Sequence, residues 1–137
     1  RRMKQRYDLK LIILDYLQLM TSGRKVESRQ QEVSEFSRQI KLLAKELEVP
    51  IIALSQLNRG SEQRADKRPA MSDLRESGSI EQDADMVILL HREDAYEKES
   101  TRPGEADLLV VKHRNGPTRD ITVAFQGHYS RFVDMAH

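Results

Sequence analysis

The chain has 137 residues, a net charge of +1 and a composition that is 33% charged and 5% aromatic, values typical of a single soluble globular domain. It contains no cysteine, which excludes disulfides and thiolate metal sites and suits a reducing cytoplasm. The longest apolar run is about five residues, too short to cross a membrane, so we expect a cytoplasmic protein with no membrane partner. A charge this close to neutral neither predicts nor excludes nucleic-acid binding.

The first part of the chain predicts a strand–helix–strand unit. Residues 11–14 are all apolar, as is typical of a buried strand. From Val33 to Leu47 apolar side chains recur at helical spacing, and Pro50 ends that helix. Residues 51–54 form a second apolar run. Because the connections are short, the two strands should be parallel, as in a βαβ unit.

Polar residues follow both of these strands. Asp15 comes directly after the first apolar run, and Gln56 follows the second run closely. The carboxyl ends of parallel strands face the ligand crevice of an α/β fold, where an Asp can organise Mg²⁺ and a Gln can reach a γ-phosphate. The alternatives are an Asp that caps a loop and an ordinary polar strand end.

An ATP site would also need the phosphate cradle G-x-x-x-x-G-K-[ST], and this sequence does not contain it. Its glycines, at positions 23, 60, 78, 104, 116 and 127, are never five apart and are never followed by Lys. An ATPase built on Asp15 would therefore be half of one. Because the first residue is Arg1, we expect a piece of a longer protein.

The second part of the chain begins with a charged segment and continues as strands. Residues 57–79 carry many charges and little periodicity, which indicates a functional or irregular connection. A short helix should start near Ser79, and the Asn-Gly-Pro at 115–117 predicts a turn between antiparallel strands. The predicted strands are 86–90, 108–112, 121–125 and an edge strand at 131–134. The predicted fold class is α/β, a single domain over residues 1–137 with a mostly parallel sheet and an antiparallel hairpin at its end.

Three further positions could contact phosphate. Arg75 lies in the stretch SDLRESGSIEQ, where backbone N–H groups and a guanidinium suit a phosphate chain, and a solvated loop is the alternative. Lys112 and Arg114 leave a strand just before the predicted turn, so they should point to the same side and form either a phosphate clamp or a solvated rim. The histidines lack metal-ligand spacing, and the acidic pair Asp83 and Asp85 is predicted to be exposed without a catalytic role.

Four segments of the sequence together resemble one family. They are LIILDYLQLM (11–20), RQQEVSEFSRQIKLLAKELEVPIIALSQLNR (29–59), KRPAMSDLRESGSIEQDAD (67–85) and KHRNGPT (112–118). In this order and spacing they resemble the replicative DnaB-family DNA helicases. The resemblance covers essentially the whole chain. It implies the second half of a RecA-like motor domain: a mostly parallel sheet flanked by helices, a C-terminal antiparallel hairpin, and no P-loop half.

The resemblance implies roles at an ATP site for four of the candidate residues. Asp15 matches the Walker B position that organises Mg²⁺, directly or through water. Gln56 matches the sensor of the γ-phosphate of ATP. Lys112 and Arg114 match the pair that enters the ATP site of the neighbouring subunit, with the arginine-finger role.

The resemblance also implies a DNA contact and partners. Arg75, Glu76 and Gly78 match the loop that holds the backbone of single-stranded DNA. The implied partners are single-stranded DNA, further copies of the chain in a homohexamer, a primase and a helicase loader. Two alternatives stay open: a related RecA-like ATPase of recombination or repair, and an inert or purely binding fragment. Arg119 stands where Gly is more common after the turn.

Overall fold

The computed structural model describes residues 2–15, 29–57 and 67–136, with the side chains of 29–32 and 75–79 outside that description. The chain divides into two units. The first unit comprises Arg1–Asn58 and Leu74–Ala84, and the second comprises Arg59–Asp73 and Asp85–His137. The prediction of one domain over the whole chain stays a prediction.

The first unit contains the predicted strand–helix–strand unit. A short helix, α1 (Arg2–Tyr7), precedes strand β1 (Ile12–Leu14), and helix α2 (Arg29–Leu47) leads to strand β2 (Ile51–Ala53). The two strands pair in parallel, with Ile12 opposite Ile51 and Leu14 opposite Ala53. The predicted parallel βαβ arrangement is therefore confirmed.

Helix α2 follows from its apolar stripe and from the residues at its end. Val33 and Ser37, one turn apart, are both buried, whereas Leu42 on another face is exposed. At the C-terminus Glu48 has a left-handed φ of 54°, and the N–H of Val49 donates to the carbonyl of Ala44 at 3.2 Å. This is a Schellman ending, normally built on Gly. No helix in the described ranges is long and apolar enough to cross a membrane.

The charged segment is more regular than its sequence predicts. Within the described part, Met71–Ser77 forms a 3-10 helix, and helix α3 (Gly78–Asp83) follows directly. The buried Asp73 starts the 3-10 helix, since its carboxylate accepts the N–H of Ala70 at 2.7 Å and its own N–H donates to the Ala70 carbonyl at 2.9 Å.

Helix α3 is attached to helix α2 by a hydrogen bond within the first unit. The hydroxyl of the buried Ser37 donates to the carboxylate of Asp83 at 2.8 Å. Asp83 is half-buried, so the prediction that it is exposed is wrong. The physical reason is this contact, which places the end of α3 against the buried face of α2.

The second unit is a four-stranded antiparallel sheet in the order β3–β4–β5–β6. Its strands are β3 (Met86–His91), β4 (Glu105–His113), β5 (Arg119–Gln126) and β6 (Arg131–Asp134). The predicted α/β class, the β4–β5 hairpin and the edge strand are confirmed. Antiparallel pairing reaches further than expected, because β3 also runs antiparallel to β4. A parallel pair needs a crossover, usually a helix, and residues 92–104 contain only the 3-10 helix Glu93–Ala95.

Strand β3 has two apolar faces of different burial. Val87 and Leu89 are buried, whereas Met86, Ile88 and Leu90 are exposed. A register shift between Val87 and Ile88 marks a β-bulge opposite the end of β4. Strands buried on both faces are apolar throughout, which is the pattern that the sequence of β3 displays.

Candidate functional site

Asp15 and Gln56 lie at the same edge of the parallel strand pair. Leu14 is opposite Ala53, and the N–H of Leu54 donates to the Leu14 carbonyl at 2.9 Å, so β1 and β2 end side by side. Asp15 follows β1 directly, Gln56 follows β2 closely, and both are exposed. The structure thus brings together the two residues that the sequence analysis grouped.

The oxygens at this edge suit a hard divalent cation. Asp15 offers a carboxylate and Gln56 an amide, and Mg²⁺ is usually bound by one or two carboxylates together with substrate phosphates and water. Among the described residues, no group of three or more His, Cys, Asp or Glu could enclose a metal ion. The donor set therefore fits a shared Mg²⁺–phosphate site and does not fit an all-protein metal cage.

The predicted DNA-contacting residues follow one another along a short helical segment. Arg75 and Glu76 belong to the 3-10 helix Met71–Ser77, and Gly78 is the first residue of α3. Their side chains lie outside the described part of the structure. The backbone is helical where the sequence analysis weighed a solvated loop as the alternative.

Lys112 and Arg114 stand at the end of β4. Lys112 is half-buried within the strand, opposite Val87, and Arg114 is exposed one residue beyond the strand end. The turn that follows depends on Gly116, where a Cβ atom would collide with the imidazole of His113.

Arg119, where the sequence departs from the more common Gly, begins β5 opposite Val110. Its φ is not positive, since the described non-glycine residues with positive φ are Asp8, Glu48 and Ser130. The backbone at this position therefore accepts a side chain without strain.

The side chain of Arg114 is held by an acidic residue to which the sequence analysis gave no role. Its Nη1 donates to Oδ1 of Asp85 at 2.6 Å, and its backbone N–H donates to the Asp85 carbonyl at 2.9 Å. Asp85 is exposed, as predicted. The pairing of Met86 with His113 brings the residue before β3 next to the residue after β4. An antiparallel prediction for these two strands would have revealed the contact.

A second acidic residue without a predicted role, Asp107, lies buried in β4. Arg102 donates to both of its carboxylate oxygens, at 3.0 and 2.6 Å, and the Thr122 hydroxyl donates at 3.0 Å. These bonds, led by those from Arg102, hold the pKa of the Asp107 carboxyl below its ordinary value, although desolvation raises it. The same pair raises the pKa of Arg102.

The Asp107 cluster also holds the segment that leads into the 3-10 helix. The guanidinium of Arg68 lies 3.7 Å from Asp107 and pairs with Asp120 on β5. The neighbouring Lys67 lies over the ring of Tyr96, 5.4 Å from its centroid. No sequence pattern signals these contacts, because the partners lie far apart along the chain.

Comparison with known proteins identifies the family. The DnaB-like helicase C terminal domain family matches residues 1–134. The chain belongs to this family. It is 78% identical over 136 residues to the replicative DNA helicase DnaB of Leifsonia xyli subsp. xyli, covering 99% of this chain and 30% of that protein. It is 55% identical to the replicative DNA helicase DnaC of Bacillus subtilis, covering 98% of this chain and again 30% of the relative.

Solved structures of DnaB-like proteins have the same fold. The chain superposes on a solved helicase ATPase domain with a TM-score of 0.92 and 42% identity, over 98% of this chain and 49% of that one. It superposes equally, with a TM-score of 0.92, on a DnaB-like replicative helicase studied for its interactions with primase, over 34% of that chain. The predicted partial RecA-like domain of a DnaB-family helicase is confirmed. The chain spans about 30% of the length of the two curated relatives above.

Proposed function

We propose that this chain is part of a ring-shaped, ATP-dependent replicative DNA helicase that translocates on single-stranded DNA and unwinds duplex at the replication fork. The observation that carries the proposal is the match of the DnaB-like family to residues 1–134. The parallel pairing that puts Asp15 and Gln56 at one edge supports it further. The relatives are named replicative helicases, which favours this function over a recombination or repair ATPase.

At the nucleotide, Asp15 and Gln56 would act from the strand ends. The Asp15 carboxylate would hold Mg²⁺, directly or through water, and the Gln56 amide would lie near the γ-phosphate. Bound Mg²⁺ and ATP supply a neutralised phosphoryl group that is open to attack by water. In this proposal the phosphate cradle comes from a part of the protein outside residues 1–137, because the sequence has no G-x-x-x-x-G-K-[ST].

At the DNA, Arg75, Glu76 and Gly78 would hold the backbone of one strand. A guanidinium and backbone N–H groups recognise phosphate and not base edges, so binding should be independent of sequence and sensitive to salt. The helical backbone at these residues supports a fixed presentation of the three groups.

At the neighbouring subunit, Lys112 and Arg114 would enter the ATP site in trans. The exposure of Arg114 beyond the end of β4 supports this role, since a finger must reach past its own subunit. A homohexamer follows as the assembly. We propose that it works on DNA in the cytoplasm together with a primase and a helicase loader, and a DnaB-like structure described with its primase interactions supports the first of these.

The test uses the intact helicase and mixed rings. Rings of Arg114→Ala subunits should lose hydrolysis by about 10³–10⁵-fold and keep ATP binding, because a finger stabilises charge that develops in the transition state. Mixing these subunits with subunits that carry a dead P-loop and an intact Arg114 creates some interfaces with a working cradle and a working finger. Such mixtures should recover hydrolysis.

A matched control accompanies the mixing experiment. Arg119→Ala removes another exposed arginine, at the opposite end of the same hairpin turn, and should leave hydrolysis unchanged. If no mixing ratio restores activity while mixed assembly is confirmed, Arg114 acts within its own subunit and the trans assignment fails.

A further inference from the structure

Asp85 attaches to Arg114 at two points. Its carboxylate accepts a hydrogen bond from the guanidinium at 2.6 Å, and its carbonyl accepts the backbone N–H at 2.9 Å. The second bond fixes where the Arg114 backbone leaves β4, and the first restricts the direction of the side chain. Together they limit the rotamers that a long, flexible side chain would otherwise sample.

The exposure of the pair indicates that it contributes little to stability. The side chains of Arg114 and Asp85 are 49% and 58% exposed, and ion pairs this open to solvent are screened and weak. A guanidinium has five N–H donors, and the bond to Asp85 uses one of them. Arg114 can therefore stay attached to Asp85 and still donate to a phosphate.

We infer that Asp85 is a positioning residue for Arg114: it holds the guanidinium in the direction in which it enters the neighbour's ATP site. The inference rests on the proposed trans role of Arg114. An arginine that is already oriented loses less conformational entropy when it engages the transferring phosphoryl group. The benefit should appear in the transition state, so Asp85 should affect kcat and leave the KM for ATP nearly unchanged.

The experiment compares Asp85→Asn with Asp134→Asn in the intact hexameric helicase. Asn keeps the shape of Asp and removes its charge, and Asp134 is an exposed acid on β6 of the same sheet. We expect Asp85→Asn to lower kcat by about two- to fivefold, the rate equivalent of the coupling in an exposed ion pair, with KM unchanged. Asp134→Asn should match the wild type. Hexamer assembly and circular dichroism check that both variants fold.

A double-mutant cycle shows whether the effect passes through Arg114. In rings that already carry Arg114→Ala, Asp85→Asn should cause no further loss of kcat. An unchanged or increased kcat in Asp85→Asn alone, or an equal loss in the Arg114→Ala background, overturns this inference while the trans role stands. Normal hydrolysis by Arg114→Ala rings removes the proposed trans role and this inference together.

Discussion

Replacing Asp107 by Asn tests how much one buried charge contributes to the second unit. Asp107 is 4% exposed and takes two hydrogen bonds from Arg102, at 3.0 and 2.6 Å. Removing one partner of a buried ion pair typically costs about 3–5 kcal/mol. The Arg102 side chain is 34% exposed and keeps a bond to Glu105 at 2.7 Å, so water and a second carboxylate compensate part of the loss. We therefore expect the free energy of unfolding to fall by about 3 kcal/mol, the lower end of that range.

Urea unfolding of the complete motor domain, followed by circular dichroism, measures this loss as a shift in midpoint at constant m-value. The matched control is Asp120→Asn, which removes an acid paired with Arg68 in the same cluster. The Asp120 side chain is 61% exposed, so its loss should cost less than about 1 kcal/mol. Equal losses for the two variants would refute the argument that burial makes the difference.

Three further predictions concern pH, catalysis and DNA. Because the folded pKa of Asp107 is lowered, its stabilisation is complete above the ordinary carboxyl pKa of about 3.9 and disappears as pH falls through the folded value; acid titrations of wild type and Asp107→Asn should therefore converge below about pH 4. Residues 1–137 alone should not hydrolyse ATP, and turnover that Asp15→Asn abolishes would contradict the need for a cradle from elsewhere. Arg75→Ala in the intact helicase should weaken single-stranded DNA binding equally for all sequences and lower the salt slope by roughly one; a loss confined to some sequences would argue against a phosphate contact.

The elements that the sequence predicts correctly are those with a strong local signal. Helix α2 carries an apolar stripe and a proline stop, and the turn after β4 carries Asn-Gly-Pro. The partner of β3 has no such signal, because a continuous apolar run fits a parallel or an antiparallel neighbour equally well. Helix α1 has no signal either, since RMKQRY has no apolar period, and α1 has no buried residue.

The candidate site divides in the same way. Strand ends are visible in a sequence, so Asp15 and Gln56 can be grouped from the sequence alone. The roles of Asp85 and Asp107 cannot be predicted in this way, because each depends on an arginine that only the fold brings near. The contact between Asp85 and Arg114 joins residues 29 positions apart.

The two outer strands of the four-stranded sheet differ in how they meet other chains. β6 carries Arg131 and Asp134, and charges on an outer strand discourage a further strand from adding to it. β3, the other outer strand among those described, presents Met86, Ile88 and Leu90 to solvent and has no charged residue from Met86 to Leu90. An open strand edge next to an apolar surface is a template for self-association. Concentrated preparations of residues 1–137 should therefore aggregate through β3, and a charged substitution at Ile88 should keep them dispersed.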